Sequence, residues 1–150
     1  MYVNLADLTT YMQPDVLLSK IDDEGTGELD LTPSTQQAPN PQYDRVMQAL
    51  EGASEEADSY LAVRYPLPLS STPKSLKEKV LNIAVYKVWS RKGIAPDSAD
   101  ELIRTNYTDA IKWLEKISKG EVLLTSITLP EESPQGSTGM SVVTRERRGW

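Results

Sequence analysis

Apolar side chains recur every three or four residues between Tyr43 and Tyr65, which is the spacing of one face of an α-helix. Two later stretches, Leu76 to Val88 and Leu102 to Ile117, repeat this spacing. Prolines separate the stretches, and a proline both lacks an N–H donor and disfavours the helical conformation in the residue before it. The sequence therefore predicts three long helices, the first of which ends at the segment YPLPL, residues 65–69.

Residues that favour helix ends mark the remaining boundaries. Asparagine and threonine cap N-termini through a side-chain oxygen, proline suits the first turn, and glycine suits the position just after a helix. The predicted boundaries are Asn4 before a short helix to Met12, Pro14 before a second short helix to Ile21, Thr72 and Pro73 before the second long helix, Pro96 before the third, and Gly120 after it.

The regions between and after these helices complete the predicted architecture. Glycines and prolines interrupt residues 22–42, which we interpret as a flexible acidic loop. Residues 121–129, EVLLTSITL, are rich in β-branched side chains and predict a strand. Residues 130–141 have little apolar surface with which to offset the entropy of ordering. The fold class is thus mainly α, a helical bundle over residues 1–129 with a long acidic loop and an extended C-terminal arm, residues 130–150.

The chain of 150 residues contains no cysteine and no histidine. Disulfides, thiolate nucleophiles, Cys/His zinc sites and imidazole proton transfer are therefore excluded. No run of about 18 apolar residues occurs, and the N-terminus lacks the order of a signal peptide. The sequence predicts a soluble protein that is not exported, does not enter a membrane and is not an enzyme.

Charge is distributed unevenly along the chain. Its formal charge is −6, which disfavours binding nucleic acid by phosphate neutralisation. Residues 1–60 hold twelve acids and two bases, whereas residues 61–150 hold ten acids and fourteen bases. Such asymmetry can orient association with a partner or with further copies of the chain, although solvated surface charge alone also explains it.

The acidic segment from Asp22 to Asp30 resembles the first nine positions of an EF-hand calcium loop. Asp22, Glu24 and Thr26 occupy alternating oxygen positions, and Gly27 occupies the position of the turn. The twelfth position, where a bidentate Glu should close the coordination shell, is Pro33. We therefore expect no metal or other cofactor, with these three residues as the candidate ligands if a weak site exists.

Catalytic motifs are weakly represented. Ser71 and Lys74 fit the S-x-x-K pattern of penicillin-recognising enzymes, but neither S-D-N nor K-T-G occurs. G-x-S-x-G, P-loop and G-x-G-x-x-G patterns are also absent from the sequence. We predict no catalytic residues and interpret Ser71 to Lys74 as the start of a helix.

Aromatic, arginine and β-branched residues near the C-terminus are candidates for an interface. Arg and aromatic side chains commonly anchor protein contacts, and a short strand-like segment can add to the edge of a neighbouring sheet. A frayed terminus without a role is the alternative. The interface candidates are Trp89, Val142, Val143, Arg145, Arg147, Arg148 and Trp150.

Four stretches resemble a known family. They are MYVNLADL (1–8), IDDEGTGELD (21–30), ADSYLAVRYPLPL (57–69) and YTDAIKWLEKISKG (107–120). In this order they resemble the Mu-like prophage family of small virion proteins encoded between head and tail genes, and more distantly the helical head-to-tail connectors of long-tailed phages.

The resemblance implies a virion structural protein of the neck, assembled in the cytoplasm of a bacterial host. It implies a ring of neighbouring copies on the portal protein, twelvefold if it follows the portal, with a tail-side neck or tail-terminator protein beyond it. DNA would pass through this ring without specific binding. A neck stopper or tail-completion protein is the nearest alternative, and a calcium-responsive interaction module is the alternative from another class.

Overall fold

Five α-helices form the part of the chain that the computed structural model describes, which is residues 1–95, 98, 100–125 and 127. Within those residues no strand occurs, and no helix is both long and apolar enough to cross a lipid bilayer. The mainly helical prediction is therefore confirmed. The helices are α1 (Leu5–Tyr11), α2 (Pro14–Ile21), α3 (Pro41–Leu61), α4 (Lys74–Ser90) and α5 (Asp100–Ser118).

The two short helices begin where the sequence predicted. The Asn4 side chain accepts a hydrogen bond from the Asp7 backbone N–H, and the Asp7 carboxylate accepts one from the Asn4 backbone N–H. This reciprocal capping pairs two N–H groups that the helix itself leaves unbonded. Pro14 opens α2. Local residue preferences are therefore sufficient to fix these two starts.

The core lies between α3, α4 and α5, which pack against one another, while α1 and α2 pack on α3 and α4. Each long helix contributes the apolar stripe that its sequence spacing predicted, except that Leu102, the first residue of the third stretch, lies outside the stripe and is 66% exposed. Leu50 of α3, Ile83 of α4 and Leu114 of α5 are all fully buried. The other large, fully buried side chains are Val3, Leu8, Leu17, Ile21, Val46, Leu61, Leu76, Val80 and Ile117.

Two predicted boundaries of the long helices are corrected by the structure. α3 ends at Leu61 and residues 62–64 form a turn, because Pro66 cannot continue the helix and disfavours the helical conformation of the residue before it. Pro73, and not Thr72, is the N-cap residue of α4, and no side chain caps this end. Pro96, predicted to open the third long helix, lies outside the described residues.

The predicted strand at residues 121–129 is wrong for the residues that the structure describes, which are 121–125 and 127. After Gly120, whose φ is +79°, the chain folds back onto the bundle. Leu124 is buried, and Val122 and Ile127 pack against the core. These apolar side chains cover the end of the bundle. The described part of the segment is therefore buried against the helices and does not pair as a strand. The arm, residues 130–150, lies outside the described residues.

Candidate functional site

The acidic loop between α2 and α3 begins with a turn organised by one carboxylate. Asp22 accepts hydrogen bonds from the backbone N–H groups of Gly27, at 2.9 Å, and Thr26, at 3.0 Å. Gly25 and Gly27 have φ values of +71° and +73°, which a glycine adopts without the strain of a Cβ. The N–H groups of Gly27 and Thr26 stabilise the ionised form and lower the pKa of Asp22.

The next two carboxylates are held by three cations, Arg45, Arg91 and Lys92, which we call the basic clamp. Arg91 Nη2 lies 2.6 Å from Asp23 Oδ2, and Arg45 Nε lies 3.3 Å from the same oxygen. Lys92 Nζ lies 3.5 Å from the other Asp23 oxygen. Arg45 also donates hydrogen bonds to both carboxylate oxygens of Glu24, from Nη1 to Oε2 at 2.6 Å and from Nη2 to Oε1 at 2.5 Å. Residues from α3 and from the end of α4 therefore form ion pairs that hold the loop against these helices.

The basic clamp has a clear electrostatic effect. The hydrogen bond from Arg91 lowers the pKa of Asp23, with further lowering by the charges of Arg91, Arg45 and Lys92. The bond from Arg45 lowers the pKa of Glu24 in the same way. Two of the loop acids are thus ionised and neutralised by ion pairing, so the negative field of the loop is weaker than its sequence suggests.

The far half of the loop is held by two amide side chains at the start of α3. Gln42 is only 4% exposed, and its Oε1 accepts from the backbone N–H of Asp30 at 3.0 Å. Its Nε2 donates to Thr26 Oγ1 and to the carbonyl of Glu28. Asn40 caps α3 with its Oδ1 and donates from Nδ2 to the carbonyls of Asp30 and Thr32. The loop therefore has a dense set of side-chain partners.

The candidate calcium ligands are each engaged within the chain. Asp22 accepts from two backbone N–H groups, and Glu24 pairs with Arg45. Thr26 Oγ1 donates toward Asp22 Oδ1, at 3.2 Å, and accepts from Gln42. Among the residues with described positions, no group of three acidic side chains has the geometry to hold a metal ion. Calcium coordination at this loop would require these contacts to break.

We expect millimolar calcium to leave the thermal stability of the protein unchanged. Ligand stabilisation follows occupancy, and a site whose oxygens already accept hydrogen bonds and whose twelfth position is Pro33 stays nearly empty. The measurement is the melting temperature with calcium, with magnesium and with chelator. A rise of several degrees with calcium that chelator reverses would contradict this expectation.

Acid should destabilise the fold through the basic clamp. Asp23 and Glu24 have pKa values below their ordinary 3.8 and 4.5. A carboxylate with a lowered folded-state pKa stabilises the fold above its unfolded pKa, and this contribution is lost as pH falls through the folded pKa. We expect the free energy of unfolding to fall as pH drops from about 5 to about 3.

Urea unfolding at several pH values measures this slope, and Arg45→Met provides the comparison. The variant removes the partner that both carboxylates share, so its stability should depend less on pH over the same interval. Identical slopes in the two proteins would show that the clamp does not set the acid response.

Trp89, the described member of the predicted interface set, makes its contacts inside the subunit. Lys20 Nζ lies 4.5 Å from the centroid of the Trp89 ring, within the range of a cation–π contact. The indole N–H donates to Asp100 at 2.8 Å. Trp89 thus joins α2, α4 and α5. The other predicted interface residues, Val142, Val143, Arg145, Arg147, Arg148 and Trp150, lie outside the described residues.

A second polar cluster joins the three long helices. Glu56 of α3 accepts from Tyr107 of α5 at 2.9 Å and pairs with Lys87 of α4 at 2.8 Å. Tyr107 stacks on Tyr86, with ring centroids 4.1 Å apart. Burial and the hydrogen bond to Glu56 raise the pKa of Tyr107 to about 12, so the phenol stays protonated and continues to donate. The charges of Glu56 and Lys87 are partly exposed but are already paired within the subunit.

Two exposed helix faces carry opposite charge. The acidic face of α3 consists of Asp44, Glu51 and Glu55. The basic face of α5 consists of Lys112 and Lys116, together with Lys119 just after the helix. None of the six forms an ion pair with another described residue. The uneven charge is evident in the sequence but its assignment to these faces is not, although the helical spacing of the three lysines indicates the second face.

Comparison with known proteins identifies the family. The sequence profile of the family described as "Bacteriophage Mu, Gp36" matches residues 2–143. The chain belongs to this family. The range includes all five helices of the described Gp36-family fold, together with the acidic loop and both charged faces. The resemblance predicted from four sequence stretches is therefore confirmed.

Two individual relatives match this Gp36-family chain over shorter ranges. The "Mu-like prophage FluMu protein gp36" of Haemophilus influenzae is 41% identical over 80 residues, which cover 53% of this chain and 52% of the relative. "Gene product J" of Escherichia phage Mu is 34% identical over 74 residues, which cover 49% and 48%. The chain thus spans about half the length of the curated relatives it matches. It is a phage protein.

Proposed function

We propose that this protein is a structural component of the virion, a connector that forms a ring on the portal protein and joins head to tail around the DNA channel. The observation that carries the proposal is the match to a phage Mu family across nearly the whole bundle. The resemblance to helical head-to-tail connectors supports a position at the junction of head and tail. The exposed acidic and basic helix faces supply surfaces on which a ring can be built.

The role is structural and not catalytic. The absence of cysteine and histidine from the sequence removes thiolate and imidazole chemistry. Ser71 and Lys74, the pair that fits a catalytic motif, are both exposed at the start of α4. The negative formal charge of the chain favours DNA that passes without specific binding, because like charges repel.

Localisation within the particle tests this function. A small epitope tag at the N-terminus, detected by gold-labelled antibody on purified phage, should mark the junction between head and tail. Deletion of the protein should give heads and tails that do not join. A label at the tail tip, or particles that assemble normally without the protein, would overturn the proposal.

Co-expression separates a portal-bound connector from a stopper or tail-completion protein. We expect the tagged protein to co-purify with the portal when no other neck or tail protein is present. Co-purification only with a tail-side neck protein or tail terminator would instead place it further from the head. This outcome favours the stopper role over the connector role.

The predicted arm is part of the same proposal. Residues 130–150 end with Val142, Val143, three arginines and Trp150, the residue types that anchor interfaces. Truncation after Leu129 should leave the melting temperature nearly unchanged and abolish head-to-tail joining. Normal particle yield from the truncated protein would show that the arm is dispensable, and unfolding of the fragment would show that the arm belongs to the core.

A further inference from the structure

The acidic face of α3 has no ion-pair partner among the described residues. Helix α3 contains five acids and one base. The base, Arg45, reaches Asp23 and Glu24 in the loop, and Glu56 pairs with Lys87 of α4. Glu51 and Glu55 remain exposed one turn apart, and no described cation forms an ion pair with them. This face is the part of α3 that is available to a partner.

The basic face of α5 has the matching geometry. Lys112, Lys116 and Lys119 are exposed and follow the 4, 3 spacing of one side of a helix. Four residues span about 6 Å along a helix, so Lys112 and Lys116 are spaced along their axis as Glu51 and Glu55 are along theirs. Two helices laid side by side can therefore bring both pairs into register.

One subunit presents both faces, and no ion pair between described residues joins them. The acidic face and the basic face lie on the solvent sides of α3 and α5, whose opposite sides pack into the common core. A surface that is complementary to a different surface of the same molecule makes a heterologous contact, which is the kind that generates rings when its rotation closes.

We propose that copies of this chain associate head to tail, with the acidic face of α3 in one copy against the basic face of α5 in the next. The assignment rests on the proposed function for its place in a ring, and it deepens that function by naming the surfaces. A second copy is favoured over DNA as the partner of the lysines, because Asp109 and Glu115 flank them and the whole chain is negative.

Charge reversal on each face tests the contact in the full chain. Wild-type protein should self-associate with rising concentration below about 0.1 M salt, where the screening length exceeds about 10 Å. Glu51→Lys with Glu55→Lys, or Lys112→Glu with Lys116→Glu, should each weaken self-association at least about tenfold, because like charges then face each other.

Two combinations should restore association. In an equimolar mixture of the two double variants, the reversed α3 face of one protein meets the reversed α5 face of the other, and the two unreversed faces also meet, so opposite charges face each other in both contacts. The variant with all four substitutions pairs its own reversed faces with each other. Neither recovery occurs if the faces do not meet. Sedimentation velocity measures all of these states.

Control variants separate the contact from folding and from net charge. Lys74→Glu with Arg104→Glu changes the net charge as much as the basic-face variant does, but lies on other exposed positions. It should associate as the wild type does. Each variant should also keep its helical circular dichroism and melting temperature. An equal loss in this control would overturn the assignment to Lys112 and Lys116.

Cysteine placement gives an independent readout, because the native chain has none. Glu55→Cys and Lys112→Cys proteins, mixed and treated with a short bis-maleimide reagent, should cross-link to each other several times more than either does alone. A dominant cross-link within either protein alone would show a symmetric contact and overturn the proposal. A monomeric wild type at low salt and high concentration would overturn it too.

Failure of this contact and failure of the proposed function give different results. A protein that labels the head–tail junction but ignores all charge reversals has the proposed function without this interface. A protein that follows every charge reversal but is absent from the junction has the interface without the proposed function.

Discussion

Leu50→Ala should lower the free energy of unfolding by about 2–5 kcal/mol, because the substitution deletes buried methyl groups and leaves a cavity. Leu50 is 0% exposed and lies in α3, which, like α4, packs on all four other helices. Close-packed neighbours relax only partly into such a space. Urea denaturation followed by far-UV circular dichroism measures the change, and the melting temperature should fall by several degrees.

Leu102→Ala is the matched control for that prediction. The same atoms are removed, but Leu102 is 66% exposed on α5, so water already surrounds most of them. Surface substitutions of this kind change stability by about 0.5 kcal/mol or less. Similar losses in the two variants would mean that Leu50 does not occupy the centre of the bundle.

Tyr65→Phe should cost about 1–3 kcal/mol, the second largest effect that we expect from a single side chain. Tyr65 is 3% exposed, and its hydroxyl oxygen accepts a hydrogen bond from the backbone N–H of Leu124 at 2.9 Å. The variant keeps the ring and removes only this oxygen. Leu124 is itself buried, so its N–H would lose its partner without gaining water.

Tyr11→Phe provides the corresponding control, since Tyr11 is 54% exposed and its hydroxyl reaches solvent. We expect the unfolding free energy of the Tyr11→Phe variant to equal that of the wild type within about 0.5 kcal/mol. Hydrogen exchange adds a local test, because the Leu124 amide should lose protection in the Tyr65 variant. Unchanged protection at Leu124 would contradict the role of this hydrogen bond.

Features that depend on neighbours in sequence could be predicted. The Asn4 cap, the proline that opens α2 and the glycine that follows α5 each act within one turn of the residue concerned. The apolar stripes of the long helices were equally legible, since a helix repeats every 3.6 residues whatever it packs against. Helix number and order follow from these signals alone.

The strand prediction was wrong for the described residues because a β-branched composition does not determine whether a segment is buried by a neighbouring strand or by helices. The sequence EVLLTSITL fits a strand, but Leu124 and its neighbours cover the end of the bundle. The hydroxyl of Tyr65 accepts the hydrogen bond from the Leu124 backbone N–H that the carbonyl of a neighbouring strand would otherwise accept. This alternative depends on a residue 59 positions away. Tertiary contacts outweighed the β-propensity of this segment, as they commonly do for short segments rich in β-branched residues.

The candidate site was predicted only in part. The acids of the loop were evident in the sequence, but nothing local indicates that Asp23 meets Arg91. The residues of the charged faces of α3 and α5 follow helical spacing in the sequence. The structure distinguishes them from the charges that are paired within the subunit. Knowing which charges are already paired identifies those that remain for a partner.

The basic clamp also has a consequence for the order of folding. Its contacts join Glu24 to Arg45, 21 residues away, and Asp23 to Arg91, 68 residues away. Closing such distances costs chain entropy before any attraction is gained, so we expect α3 and α4 to dock before Asp23 meets Arg91. Ion pairs formed after the rate-limiting step slow unfolding and leave the folding rate unchanged. We therefore expect loss of the clamp to speed unfolding of the subunit more than it slows folding.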